Sequence, residues 1–289
     1  QYTTGAALNY IAADVKGSIA WISTGAIPTR SQGISLFPYQ VMNNRDNWIS
    51  WIPYNNMPYA ENPKRGWIGS CNHKSISGNY PYYISSFFAP HYRYSRLMNL
   101  FKTKKKFSAA DLWQFQRDIK NVLAEKIAPK IASALKNFND THSMGMILSN
   151  WNHMDDKDKA APLIFHAVFL KMFILTFGDE LGSDVIRFML GAKYLWKVRF
   201  HTLIHKGESK WFDNIRTLKK ETFRDIVHMA GQQVYAELSK KYGSNPKYWR
   251  WGDAHRLSFI NIAKRKGLLS HFLGGGTHEM SGSADTLYR

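Results

Sequence analysis

Asn62-Pro63-Lys64-Arg65-Gly66-Trp67-Ile68-Gly69-Ser70-Cys71-Asn72-His73 is the stretch on which the reading of this chain turns. Residues 24–62 lead into it and are rich in Gly, Pro and Asn, so they read as loop with short strands. Trp67-Ile68-Gly69-Ser70-Cys71 then reads as a strand. A polar loop carries on to Tyr80-Pro81, and an aromatic stretch runs from Tyr82 to Tyr94. Cys71-Asn72-His73 puts a thiol beside an imidazole, the pairing that a nucleophile and its base require. Neighbours on a strand point to opposite faces, however. A small strand residue followed by a turn Asn is the stronger reading from spacing alone.

Upstream, Asn9-Tyr10-Ile11 and Ile19-Ala20-Trp21-Ile22 flank the turn candidate Ala13-Asp14-Val15-Lys16-Gly17, which predicts a hairpin over 8–23. Downstream the pattern turns helical. Ser108 and Asp111 have capping-box spacing, and Leu112, Phe115, Ile119, Val122 and Leu123 share one helical face. Pro129 is expected to kink or end that helix. Pro162 stands at a first helical position, ahead of an apolar run over 163–177 that closes near Gly178. That run contains His166 and Lys171 and is shorter than the roughly 18–20 residues of a membrane span, so it reads as a buried helix. Thr222 and Asp225 make a second capping box. Phe223, Ile226, Val227, Ala230, Val234 and Leu238 follow on one face, with Gly243 closing the helix. The chain is β-rich first, α-rich in the middle and irregular at the end, with no internal repeat.

A chain of 289 residues with 44% hydrophobic and 15% aromatic residues buries a real core and is not a disordered tail. The net charge of +18 attracts phosphates, anionic lipids or acidic ligands. The cations are spread along the chain, though, and the one dense run, Lys102, Lys104, Lys105 and Lys106, reads as a solvated face. Nucleic-acid binding is therefore a minor reading, and an acidic partner chain or an unusual solvent accounts for the charge as well. Cys71 is the only cysteine, which excludes an internal disulfide. No signal peptide opens these residues. His153 with Asp155, Asp156 and Asp158 fits no established metal-ligand spacing and reads as a solvated helix start. His201 and His205 read as surface histidines of one helix, and Gly274-Gly275-Gly276 as a loop without the features of a phosphate cradle.

Beyond spacing, the quoted stretch continues through Tyr80-Pro81-Tyr82-Tyr83 to Tyr92-Arg93-Tyr94-Ser95-Arg96-Leu97. Before it stand Asn9-Tyr10-Ile11-Ala12-Ala13-Asp14, Thr24-Gly25-Ala26-Ile27-Pro28-Thr29-Arg30 and Asn47-Trp48-Ile49-Ser50-Trp51-Ile52-Pro53-Tyr54. After it come Trp249-Arg250-Trp251-Gly252-Asp253-Ala254-His255-Arg256 and Gly282-Ser283-Ala284-Asp285-Thr286-Leu287-Tyr288-Arg289. Spread over nearly the whole chain and in this order, these segments resemble the penicillin acylase family of N-terminal-nucleophile hydrolases, in the central and C-terminal part of its β subunit.

The resemblance implies an α+β chain within a four-layer αββα sandwich, with a helical insertion in the middle. Residues 1–100 would be the β-rich part of the core, 101–245 mostly helical, and 246–289 a return to the core. All would belong to one larger domain completed by another segment or chain. In the family, autoproteolysis exposes a Ser at the β-subunit N-terminus, whose own α-amino group is the base. That Ser attacks a linear amide, such as a penicillin or an acyl-homoserine lactone, through an acyl-enzyme. Asn72 matches the Asn whose side-chain amide donates to the oxyanion, or else it caps a turn; His73 replaces a second Asn beside it and is expected, with Arg93, to bind substrate or orient the nucleophile. Arg93 matches an Arg that orients the nucleophile or the leaving-group side of the substrate, or else it is a surface Arg paired with a carboxylate. Asn9, Trp251, Asp253, His255 and Arg256 are expected in structural polar networks, the last four buried.

Gln1 has no nucleophilic side chain, so the nucleophile is expected on an upstream β segment or another chain, beside an α subunit. The family's calcium carboxylate maps near Ile84, which cannot bind a cation, so no cofactor is expected. The family's Trp-Asp-Gly stretch appears as Trp151-Asn152-His153. A small-molecule amide substrate, no nucleic acid, no membrane span and an extracellular or periplasmic location complete what the resemblance implies.

Overall fold

Asp14 folds the first hairpin: its Oδ1 accepts the backbone N–H groups of Lys16 (2.9 Å) and Ser18 (2.8 Å), and Gly17 takes the φ of 89° that the turn needs. The expected hairpin is formed by β1 (Asn9–Ala13) and β2 (Ile19–Ser23), antiparallel with Ile11 opposite Trp21. The computed structural model describes residue 5 and residues 7–30, 48–259 and 275–289. Gln1, Asn47 and Gly274, named above, lie outside the described residues. The chain divides into two compact units, Gln1–Tyr94 and Ser95–Arg289.

In the first unit, β3 (Pro28–Arg30) pairs antiparallel with β4 (Trp48–Trp51), and the register shifts between Thr29 and Arg30. β5 (Tyr59–Glu61) joins the far side of β2, giving a sheet ordered β1-β2-β5. Asn62 locks that edge: its backbone N–H donates to Ile19 O, and its Oδ1 accepts from Ile19 N (both 2.9 Å). Ile27, Ile52 and Met57 form a small apolar core, with Tyr82 and Ile84 packed on it. Residues 67–71 do not form the expected strand. Their neighbourhood spends its backbone groups on other partners instead: Cys71 N–H meets His73 Nδ1, and Asn72 C=O accepts from Ala89 N–H. A strand needs a partner edge, and no described strand offers one here.

α1 (Tyr92–Phe101) carries the chain into the second unit. There the helices are α2 (Ala109–Gln116), α3 (Val122–Lys136), α4 (His142–Ser149), α5 (Ala160–Gly191), α6 (Lys193–Lys206), α7 (Phe223–Tyr242) and α8 (Trp251–Ala254). β6 (Arg256–Phe259) and β7 (Gly276–Glu279) pair antiparallel near the end. Both expected capping boxes are present, at Ser108/Asp111 and Thr222/Asp225, and Gly243 ends α7 at a φ of 90°. The core is made by Leu123, Ile127, Ile131 and Leu135 of α3, Met144 and Leu148 of α4, Phe165, Val168, Met172 and Phe173 of α5, Phe200 of α6, and Ile226, Val227 and Val234 of α7. α7 crosses α3 closely at Gly231, where an added Cβ would lie 2.6 Å from Leu135 Cδ2.

Three helix boundaries differ from the sequence pattern. The face from Leu112 to Leu123 is split between α2 and α3, because Asn121 N-caps a new helix through its Oδ1 on Ala124 N–H. Pro129 stays inside α3 without ending it; Pro129 and Glu125, whose carbonyl loses its donor, both lie on the exposed face. α5 starts at Ala160, before Pro162, and continues past Gly178 to a kink at Gly182 (φ 74°) and on to Gly191. By length and composition α5 could cross a membrane, but most of its apolar window is buried within this unit, as a core helix would be.

Residues 281–288 bind the helices together. Lys197 of α6 and Asp285 form a buried ion pair at 2.5 Å, and Tyr288 N–H donates to Asp118 O. Removing one member leaves an uncompensated buried charge, so we expect Lys197→Met to cost about 3–5 kcal/mol in urea unfolding. Lys197→Met with Asp285→Leu should recover most of that loss; a single variant as stable as the parent would show the pair to be dispensable.

Candidate functional site

The quoted stretch and the first turn of α1 meet in the first unit. Asn72 adopts a left-handed φ of 59°, which Asn tolerates better than most residues. Arg93 reaches it from α1: Nη2 donates to Cys71 O (2.8 Å) and to Asn72 Oδ1 (3.1 Å). A guanidinium only donates, so the atom facing it must be the amide oxygen. The Asn72 NH2 therefore points away from Arg93. The side chain is exposed, and no acceptor among the described residues takes these donors.

His73 stacks flat on Tyr94, ring centroids 3.7 Å apart and planes 16° from parallel. Tyr94 Oη in turn accepts from Arg65 Nη1 at 2.8 Å, while the Arg65 guanidinium lies 4.4 Å over the Trp67 ring. Partial burial, then the charges of Arg65 and Arg93, hold His73 below the ordinary imidazole range. The neutral ring fits the long contact (3.4 Å) in which Cys71 N–H donates to His73 Nδ1, leaving the ring proton on Nε2. Burial pushes the Cys71 thiol up, so it is not a thiolate nucleophile. Among the described residues neither Arg65 nor Arg93 pairs with a carboxylate. Asn72, His73 and Arg93 thus form one cluster, in which sequence reasoning missed Arg65 and Tyr94. The signal was the Arg65-x-Trp67 spacing, which lets a guanidinium fold back over an indole two residues on.

The other expected residues serve elsewhere. In the hairpin, Trp21 Nε1 donates to Asn9 Oδ1 at 2.9 Å. Ile84 packs against the small apolar core of the first unit, and its own side chain offers calcium no oxygen. In the second unit, Trp251 stacks between His166 and His255, both 4.7 Å away, and its Nε1 donates to Gly282 O. His255 Nδ1 donates to Met280 O. An added Cβ at Gly252 would lie 3.1 Å from Glu279 Cβ, which explains a glycine between Trp251 and Asp253. Asp253 lies 3.6 Å from Arg250 and 3.9 Å from Arg256. The network was expected to be buried, but Trp251, Asp253 and His255 are only half-buried and Arg256 is exposed, because β6 lies open to solvent.

Asp155 was read as part of a solvated helix start, and the structure corrects this. It is fully buried, its Oδ2 accepting from Asn121 Nδ2 (2.9 Å) and facing His166 Nε2 (3.1 Å). His153, where the resembling stretch has Gly, holds a φ of 60°.

A family model described as penicillin amidase matches residues 1–289. An acyl-homoserine lactone acylase QuiP of Pseudomonas fluorescens is 25% identical over 96% of this chain and 36% of the relative. The acylase of the same name from Pseudomonas aeruginosa is 22% identical over 93% of this chain and 33% of its own length. A penicillin acylase 2 proenzyme of a Pseudomonas species is 28% identical over 36% of this chain and 13% of its own length. Among solved structures, a thermostable penicillin G acylase from Alcaligenes faecalis matches with a TM-score of 0.60 at 18% identity, over 85% of this chain and 48% of that one. That likeness shows the fold: α+β, of the N-terminal-nucleophile hydrolase type. The described residues hold short pieces of sheet and a large helical part of it. The chain spans about a third of the length of the curated acyl-homoserine lactone acylases it matches.

His73 gives a prediction with a definite sign. Its folded-state pKa lies below the ordinary 6.5, so the unfolded chain takes up the proton first as pH falls. The stability this group contributes is present above about 6.5 and is lost as the pH falls through the lowered value. Arg65→Gln removes one cause of the depression, and the His73 midpoint in an NMR titration should move up. An unmoved midpoint would mean that Arg65 does not contribute, leaving burial and Arg93 to set it.

Proposed function

The chain belongs to the penicillin amidase family, and from that premise we propose that it is part of an amidohydrolase acting on linear amides, such as acyl-homoserine lactones or penicillins. The nucleophile in this reading is an N-terminal Ser supplied outside these residues and exposed by autoproteolysis, in an assembly with an α subunit. Its Oγ attacks the amide carbonyl while its α-amino group takes the hydroxyl proton. The tetrahedral oxyanion collapses, the amine leaves with that proton, and water releases the acid from the acyl-enzyme.

The contribution of this chain is the oxyanion donor. The observation that supports it is the Arg93 bond to Asn72 Oδ1 (3.1 Å), which fixes the amide so that its two N–H groups are left to point at developing negative charge. In this reading Arg93 is a positioning residue acting through Asn72. His73, neutral and stacked on Tyr94, stands beside the reacting carbonyl without adding a second cation.

In the complete enzyme, Asn72→Ala should lower kcat about 100-fold or more with little change in KM, the signature of a contact made in the transition state. Near-parent kcat in that variant would remove the oxyanion role. A complete, processed and folded protein that turns over no amide would instead favour an inactive family member serving as a structural subunit.

A further inference from the structure

Lys102, Lys104, Lys105 and Lys106 join α1 to α2, and the structure gives this run a setting that its charge alone does not. Phe101, Phe107 and Phe115 meet edge to face with centroids 5.1–5.5 Å apart, so the lysines fold around one aromatic knot. Asp111 is the only carboxylate between residues 102 and 117, and Lys104 Nζ binds it at 2.6 Å. Lys102, Lys105, Lys106 and Arg117 are exposed and meet no carboxylate among the described residues.

α2 turns Asp111 and Phe115 inward and leaves an outer stripe at helical spacing: Ala109, Leu112, Trp113 and Gln116. Leu112 is 41% exposed and Trp113 59%. Exposed cations on either side of α2 in the chain, Lys102, Lys105 and Lys106 before it and Arg117 after it, together with its exposed Leu and Trp match an anionic bilayer surface. Lysines reach headgroup phosphates, an indole settles at the water boundary, and a leucine enters the acyl layer. Nucleic acid would satisfy the lysines but offers no apolar layer to Leu112. We propose that residues 102–117 are a peripheral docking surface for an anionic lipid bilayer, a role separate from the amidase reading.

The test is sedimentation of the purified protein with vesicles of phosphatidylcholine and phosphatidylglycerol, against vesicles of phosphatidylcholine alone. Binding should require phosphatidylglycerol and weaken as salt is raised. Each lysine removed should cost about fivefold, so Lys102→Gln with Lys105→Gln and Lys106→Gln should lose about 100-fold. Removing three exposed lysines elsewhere, Lys126, Lys240 and Lys247, should change little. Leu112→Ser with Trp113→Ser should lose about tenfold without changing the salt dependence. Circular dichroism checks that each variant is folded. Equal binding to neutral vesicles, or parent-like binding by the lysine variant, overturns the proposal. So does a Leu112/Trp113 variant that binds vesicles like the parent while duplex DNA competes fully, which would make the surface a nucleic-acid patch.

Discussion

A carboxylate with no exposure to water organises the second unit. A buried carboxylate is costly unless its oxygens are hydrogen-bonded, and Asp155 meets that demand through Oδ2, its Oδ1 finding no partner among the described residues. Its Oδ2 meets Asn121, whose Oδ1 at the same time caps α3, and His166 of α5. Its backbone N–H donates to Ile119 O, and its carbonyl accepts from Gly282 N–H at 2.6 Å. One residue therefore fixes where α3 begins, how α5 is rotated and where residues near 282 lie. The His166 ring it holds is the platform for the Trp251 and His255 stack.

The first unit relies on a different constraint, the one-way chemistry of guanidinium. Arg93 and Arg65 can only donate, and each is spent on oxygen atoms of the quoted stretch and its neighbours: Cys71 O, Asn72 Oδ1, Trp67 O and Tyr94 Oη. After partial burial, the same two charges help to keep the His73 imidazole neutral. Orientation of the amide and protonation of the ring thus have a common origin.

What could be read in the sequence follows the range of the interaction responsible. The hairpin, both capping boxes and the Gly243 stop were legible because their partners lie within a few residues. Residues 67–71 misled because a strand is decided by a distant edge, and Pro129 because its tolerance depends on which helix face meets water. Asn72 and Arg93 were picked out by resemblance, while the bond between them spans 21 residues and follows no periodicity. Asp155 looked like one more polar residue in a polar run. Nothing local shows that Asn121, His166 and Gly282 converge on it.

The way residues 281–288 are stitched in has a consequence for biosynthesis. Lys197, Asp155, Trp251 and Asp118 all find partners in that short stretch, the most distant being Tyr288 on Asp118. While a ribosome is still making the chain, α3 to α7 can gather their apolar faces, but the charge of Lys197 waits without its counterion. The helical unit can close only after these residues clear the exit tunnel.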